Sequence, residues 1–239
     1  MSNLSLPRTA PWTKQEFVYQ TLREQIMRGE IAPGERLVID EVARQLSVSA
    51  IPVREALQSL RADGLVTIAP HVGAVVAPVT VETVLETFTI MEGLELVTVR
   101  VAAERLDDGG RRSLREALGE MDLALEAGDQ ERWADLNTAF HTLIVDLTGM
   151  PLLREFTARA LSRWDRVRRH FFQGVLVHRT RQAQQEHHAI VRALEAGDLD
   201  RLEELVRGHN RRALAAYLEH IGKAGVKVAA RRSRTRSGG

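Results

Sequence analysis

Ser47-Val48-Ser49-Ala50-Ile51-Pro52-Val53-Arg54-Glu55-Ala56-Leu57-Gln58-Ser59-Leu60-Arg61-Ala62-Asp63-Gly64-Leu65-Val66 decides the fold of the first third of the chain. It reads as a helix with its own punctuation. Ser49 stands where a side chain can cap a helix start, and Pro52 falls in the first turn, whose N–H groups have no helical partner to lose. The run continues to about Asp63, and Gly64 closes it. Val53, Ala56, Leu57 and Leu60 form an inward apolar stripe, while Ala50, Ile51, Arg54, Gln58 and Arg61 point the other way. Upstream, across the tight Ser47-Val48 connection, Asp40 to Leu46 reads as a short helix with Asp40 at its start. Pro33-Gly34 before it is a turn, and Phe17, Val18, Leu22 and Ile26 recur at helical spacing up to Gly29. Downstream, Leu65 to Ile68 and Ala74 to Ala77 read as two short strands around the turn Pro70-His71-Val72-Gly73. Three helices and a hairpin in this space predict a winged helix-turn-helix, a DNA-binding module.

The outward face of the third helix suits base reading. Arg54 can bond guanine O6 and N7 or a phosphate, and Ala50 and Ile51 can touch thymine methyls. Gly29, Pro33-Gly34-Glu35-Arg36-Leu37, Val42-Ala43, Pro52-Val53-Arg54-Glu55-Ala56-Leu57, Asp63-Gly64-Leu65-Val66 and Gly73-Ala74-Val75-Val76 together resemble the GntR family of bacterial regulators over roughly residues 15–78. The resemblance implies that this helix enters the major groove, that Arg54 contacts DNA, and that Ser49, Gln58, Arg36, Arg44 and His71 join the interface as base, phosphate or wing contacts. One departure stands out. The family commonly has Ser-Arg-Thr-Pro-Val-Arg where this chain has Ser49-Ala50-Ile51-Pro52-Val53-Arg54, so one base-reading arginine is missing.

Composition narrows the rest. With 44% hydrophobic residues in 239, the chain can bury real cores, and the absence of cysteine removes disulfides, thiolate metal sites and cysteine nucleophiles. No apolar run approaches the ~18 residues of a membrane span and Met1 to Trp12 has no signal-peptide pattern, so a soluble, cytoplasmic protein without a membrane partner is expected. Net charge is +1, unevenly spread: residues 1–78 balance, the middle is acidic, and residues 220–239 carry six basic side chains and no acidic one. Residues 223–239 are expected to form a disordered basic tail that either grips phosphate or aids solubility.

From Thr80 to Ile221 the pattern is helical throughout, broken near 107–110, 128–129, 149–151, 174 and 197–198, which predicts about six helices and no strand. The fold class is therefore mainly α: a flexible N-terminus (1–14), a winged helix-turn-helix (15–78), an all-α domain (79–222) and the tail (223–239). The hexapeptide Ala-Leu-Glu-Ala-Gly-Asp occurs at 124–129 and 193–198, each copy reading as a helix end followed by the cap of the next helix.

Three histidines stand out in that region. His141 flanks the stripe Trp133, Leu136, Phe140, Leu143, Ile144 and Leu147, with Asn137 one turn before it. His187 sits in the stripe of Ile190, Val191 and Leu194, while His188 points about 100° away. His209 lies among Leu202, Leu205, Val206, Ala213 and Ala216. All three are 11 or 12 residues from a hexapeptide boundary, about 16–18 Å along a helix, and so can meet at one depth of a bundle. Imidazoles from facing helices are how bundles build transition-metal sites. Asn137-Thr138-Ala139-Phe140-His141, Glu186-His187-His188-Ala189-Ile190 with Gly197-Asp198, and His209 resemble the FCD ligand-binding domain of the FadR-type branch of the GntR family. There an Asp and three His often hold a divalent metal beneath a carboxylate effector. Here the first of those positions is Asn137, a neutral oxygen ligand. The expectation is a metal site of Asn137, His141, His187 and His209 for zinc, nickel or manganese, a small organic acid as effector, and Arg163 as its cationic partner.

The resemblance thus implies a homodimeric transcriptional regulator, a repressor relieved by its effector, whose partners are an operator duplex and a small carboxylate. The alternatives are a metal-dependent enzyme or a free-standing metal- or acid-binding module on the same histidines. Neither a His-Glu-x-x-His, a Walker-type loop nor a Gly-x-Ser-x-Gly is present to support catalysis.

Overall fold

A computed structural model describes residues 12–69, 73–171, 174–175 and 177–236, with Ala69 and residues 224–236 described by backbone alone. The chain divides after Val79 into two compact units.

The first unit contains α1 (Lys14–Arg28), β1 (Arg36–Leu37), α2 (Ile39–Gln45), α3 (Ala50–Ala62), β2 (Val66–Ala69) and β3 (Gly73–Val76). Thr13 and Glu16 form a reciprocal capping box at the start of α1, and Gly29 ends it in the left-handed region at φ 75°. Ser47 makes the sharp turn between α2 and α3 with φ 54°, the one described non-glycine residue at positive φ. Asp40 does not cap α2, which begins one residue earlier at Ile39, and Ser49 is the N-cap of α3 without a side-chain bond. The strands form one antiparallel sheet in the order β1-β3-β2, with Arg36 opposite Val75 and Ile68 opposite Ala74. β1 is too short to show a period, and the sequence does not announce it. Val53, Ala56, Leu57 and Leu60 of α3 are 0–2% exposed and pack against Val18, Leu22 and Ile26 of α1 and Val76 of the wing. Tyr19 of α1 ties down the end of α3 by donating to Asp63 Oδ2 at 2.6 Å.

The second unit is all helical among the described residues: α4 (Val81–Arg105), α5 (Asp108–Glu126), α6 (Gln130–Asp146), α7 (Pro151–His170), α8 (Val177–Ala196) and α9 (Leu199–Arg236). α4 packs against α9, α7, α6 and α8, and α5 against α6 and α8. The two hexapeptides end α5 and α8 with Gly128 and Gly197 at positive φ. Asp129 and Asp198 then accept from the backbone N–H groups of Arg132 and Arg201 and so cap the helices that follow.

One boundary moves. The break near 107–110 lies at Leu106-Asp107, and both glycines are inside α5, where Gly110 packs closely against the methyl groups of Leu147 and Leu106. α9 runs on to Arg236 and so takes in residues 223–236 of the basic segment. Its alanines, lysines and arginines favour propagation, and extending an existing helix needs no new nucleus. No described helix is long and apolar enough to cross a membrane.

Candidate functional site

The exposed face of the first unit is the outer side of α3. Ile51 is 68% exposed, an unusual position for so large an aliphatic side chain. Ser49, Arg54 and Gln58 are exposed beside it, with Ala50 half-buried. The side chains of Arg36, Arg44, Arg54 and Arg61 are exposed and form no ion pair among the described residues. Arginines elsewhere, such as Arg100, Arg115, Arg154 and Arg207, are paired. Exposed guanidinium groups on β1, α2 and α3 thus carry local positive charge in a unit whose formal charges balance. Arg36 projects from β1 toward Gly73, at the foot of the wing. His71 lies outside the described residues.

The second unit keeps its polar chemistry inside. α6, α8 and α9 bring His141, His187 and His209 together, with one nitrogen from each within 4.8 Å of the others. Their ring centroids lie 4.8–5.8 Å apart. Two of the rings are held from behind. His141 Nδ1 lies 3.1 Å from Glu95 Oε1 and His209 Nδ1 lies 2.7 Å from Glu186 Oε2, which leaves Nε2 of each as the free nitrogen. A carboxylate behind an imidazole fixes its tautomer and raises its basicity, the usual support of a metal-ligating histidine. Both carboxylates are themselves anchored: Glu95 accepts from Asn210, and Glu186 accepts from Arg179 and Arg212. Burial works against ionisation of Glu186, but the bonds from His209 and Arg179 outweigh it and hold its pKa down to about 2.

His187 is different. It is 0% exposed, stacked on Trp133 with centroids 6.0 Å apart, and neither ring nitrogen has a hydrogen-bond partner. Burial, reinforced by His209, His141 and Arg179, lowers its pKa well below the ordinary value, so the ring is neutral and its lone pair is available. Buried imidazole nitrogens are normally satisfied. An orphan beside two carboxylate-backed histidines therefore fits a metal ion, which this donor set of neutral nitrogens can hold.

A small pocket opens beside His141 and His209. Asn137, 4% exposed, lines it one turn from His141. Asp135, itself exposed, pairs with the buried Arg168 of α7. Arg163 does not line the cavity: it pairs with Glu86 at 3.6 Å. Trp164 does line it, and one residue along a helix rotates a side chain by about 100°, so Arg163 faces away from it. The cation in the cavity is instead Arg179, 8% exposed, whose Nη2 bonds Glu186 and the His209 carbonyl and whose Nη1 is buried without a partner. Its signal was available in the i, i+4, i+7 spacing of Arg179, Ala183 and Glu186 on α8, hidden by the charged surroundings.

Comparison with known proteins accords with this anatomy. Residues 14–76 match the bacterial regulatory proteins of the gntR family and residues 86–212 match the FCD domain. The HTH-type transcriptional regulator McbR of Escherichia coli K12 is 30% identical over 181 residues, 76% of this chain and 82% of that protein. The HTH-type transcriptional repressor RspR of the same organism is 28% identical over 201 residues, 84% of this chain and 86% of its own length. A solved structure of E. coli McbR/YncC superposes with a TM-score of 0.71 at 26% identity, covering 88% of this chain and 100% of that one. These relatives are regulators, which sets aside the enzyme reading of the histidine cluster. An exposed recognition helix in a gntR-type winged unit, followed by a histidine-centred FCD unit, makes this chain a transcriptional regulator of the GntR family, in its FCD-containing branch.

Proposed function

We propose that this regulator acts as a homodimer whose two α3 helices read adjacent major-groove half-sites, and that a divalent metal and a small carboxylate in the helical unit set its operator affinity. The observation that supports ligand sensing is His187, a wholly buried imidazole with both nitrogens unpaired. Such a group costs about 1–3 kcal/mol for each unmet polar atom, and a bound metal removes part of that cost. His141 and His209 through Nε2, His187 through one ring nitrogen and Asn137 through its carbonyl oxygen would hold zinc, nickel or manganese. When bound, the ion supplies a Lewis-acidic positive charge for an anionic ligand. With Asn at 137 the ligand set itself brings no negative charge, so the ion keeps more of its attraction for a carboxylate. Arg179 Nη1, buried and free, is the donor for that carboxylate's second oxygen.

On DNA, Arg54, Ala50, Ile51 and Gln58 meet bases, while Ser49, Arg36, Arg44 and the wing's His71 meet phosphate or groove edges. Relief of repression on effector binding is the proposed sign, in keeping with the repressor among the relatives. A coupling free energy of about 1–3 kcal/mol between the two units suffices for such a switch. Acting on DNA, the protein works in the cytoplasm.

Metal analysis of full-length protein, stripped and then reloaded separately with zinc, nickel and manganese, tests the centre. One equivalent per chain is expected with at least one of them, and none in His187→Ala. Substoichiometric metal under every loading contradicts the proposal.

A further inference from the structure

The same pocket carries a side chain that neither the metal nor Arg179 uses. Tyr217 of α9 lines it, is 2% exposed, and its hydroxyl is buried with no hydrogen-bond partner among the described residues. Burial pushes the phenol's pKa up, so the hydroxyl stays protonated and acts as a donor. An unmet buried hydroxyl costs about as much as a lost hydrogen bond, and here it belongs to a residue that lines the pocket.

The lining is rich in aromatic rings. Two of the chain's three tryptophans (Trp133 and Trp164) and one of its two tyrosines line this one cavity, with Phe88 packed 5.4 Å from the Tyr217 ring. Aromatic residues make up only 5% of the chain, so their concentration here marks the cavity rather than the composition. Flat rings with a negative face and positive edge favour another flat ring in offset or edge-on contact.

We infer that the effector is an aromatic carboxylic acid bearing a second hydrogen-bond acceptor on its ring, a hydroxyl or carbonyl oxygen that accepts from Tyr217. This rests on the carboxylate reading above, with the carboxylate at the histidine centre and Arg179. The aromatic body is the new element, and Tyr217 is its specificity-determining contact.

Titration of the metal-loaded full-length protein by calorimetry, with 3- and 4-hydroxybenzoate, benzoate, cyclohexanecarboxylate and succinate, tests it. At least one hydroxybenzoate binds about tenfold tighter than benzoate, and benzoate binds tighter than cyclohexanecarboxylate and succinate. Tyr217→Phe removes the hydroxyl's advantage, so that the hydroxybenzoates bind no tighter than benzoate. It also leaves the ligand-free melting temperature equal or raised, since it deletes an unpaired buried polar group. Succinate or cyclohexanecarboxylate binding as tightly as benzoate overturns the aromatic class while the carboxylate reading stands. Equal affinity for benzoate and both hydroxybenzoates, or a hydroxyl preference that survives Tyr217→Phe, overturns the role of Tyr217. If none of the five acids binds, the carboxylate reading falls and the inference falls with it.

Discussion

Among the described residues of the winged unit, no polar or charged side chain is buried, and the residues offered to DNA stand in solvent on α3 and β1. The helical unit reverses this, enclosing Asn137, His141, His187, His209 and Arg179 in its interior. The difference follows from what each unit must recognise. A duplex is larger than the domain and can be met only at a surface, whereas a small ion or acid is bound best where water is excluded and charge is felt at low dielectric. The energetic consequence is a separation. Function and stability are independent in the first unit and opposed in the second, where a site without its ligand leaves polar atoms unpaired.

The sharpest way to break that comparison is at His187. His187→Leu is expected to abolish stabilisation by metal, which at a thousandfold excess over Kd amounts to about 4 kcal/mol, while the metal-free protein melts at the same temperature or higher. Loss of metal-free stability would mean that His187 is an ordinary core residue. Arg54→Ala should weaken operator binding by about 1–3 kcal/mol, roughly five- to 150-fold, with an unchanged melting temperature in a thermal scan. A matching fall in stability would show that function and fold are not separable in the winged unit either.

Gln184 sharpens the comparison from the other side. It is buried but fully used: its Oε1 accepts from Trp133 Nε1 at 3.2 Å, and its Nε2 donates to the Leu118 carbonyl and to Asp122. Gln184→Leu strands the indole N–H and should cost about 2 kcal/mol in denaturant unfolding, the opposite sign to His187→Leu. The smallest effect is expected at Tyr19, where Tyr19→Phe loses the bond to Asp63 and about 1 kcal/mol. Burial, with Asp63 beside it, raises the Tyr19 pKa to about 12. The folded state therefore favours the neutral phenol. Its stabilisation is complete below the ordinary tyrosine pKa near 10 and is lost as pH rises through about 12, which a pH series of unfolding curves on both proteins would reveal.

How much of this the sequence discloses depends on the same contrast. α3 is legible because its apolar stripe, Pro52 and Gly64 are local signals, and the three histidines are legible because a polar ring in an apolar stripe is anomalous. Glu95, Glu186 and Arg179 are not, since a charged residue on a helix reads as surface until the packing partner is known. β1 depends on pairing with β3, some forty residues away, and leaves no local period. Arg163 shows the resolution of such reading: a one-residue difference from Trp164 separates facing the cavity from facing away.

The central claim is that DNA reading and ligand sensing reside in separate residues of separate units. Selection of binding sites from a random DNA pool by wild type, Arg54→Ala and His187→Ala tests it most directly. The account predicts that wild type and His187→Ala enrich the same inverted repeat and that Arg54→Ala enriches it far less. Enrichment that is indifferent to Arg54, or abolished by His187→Ala alone, would contradict it.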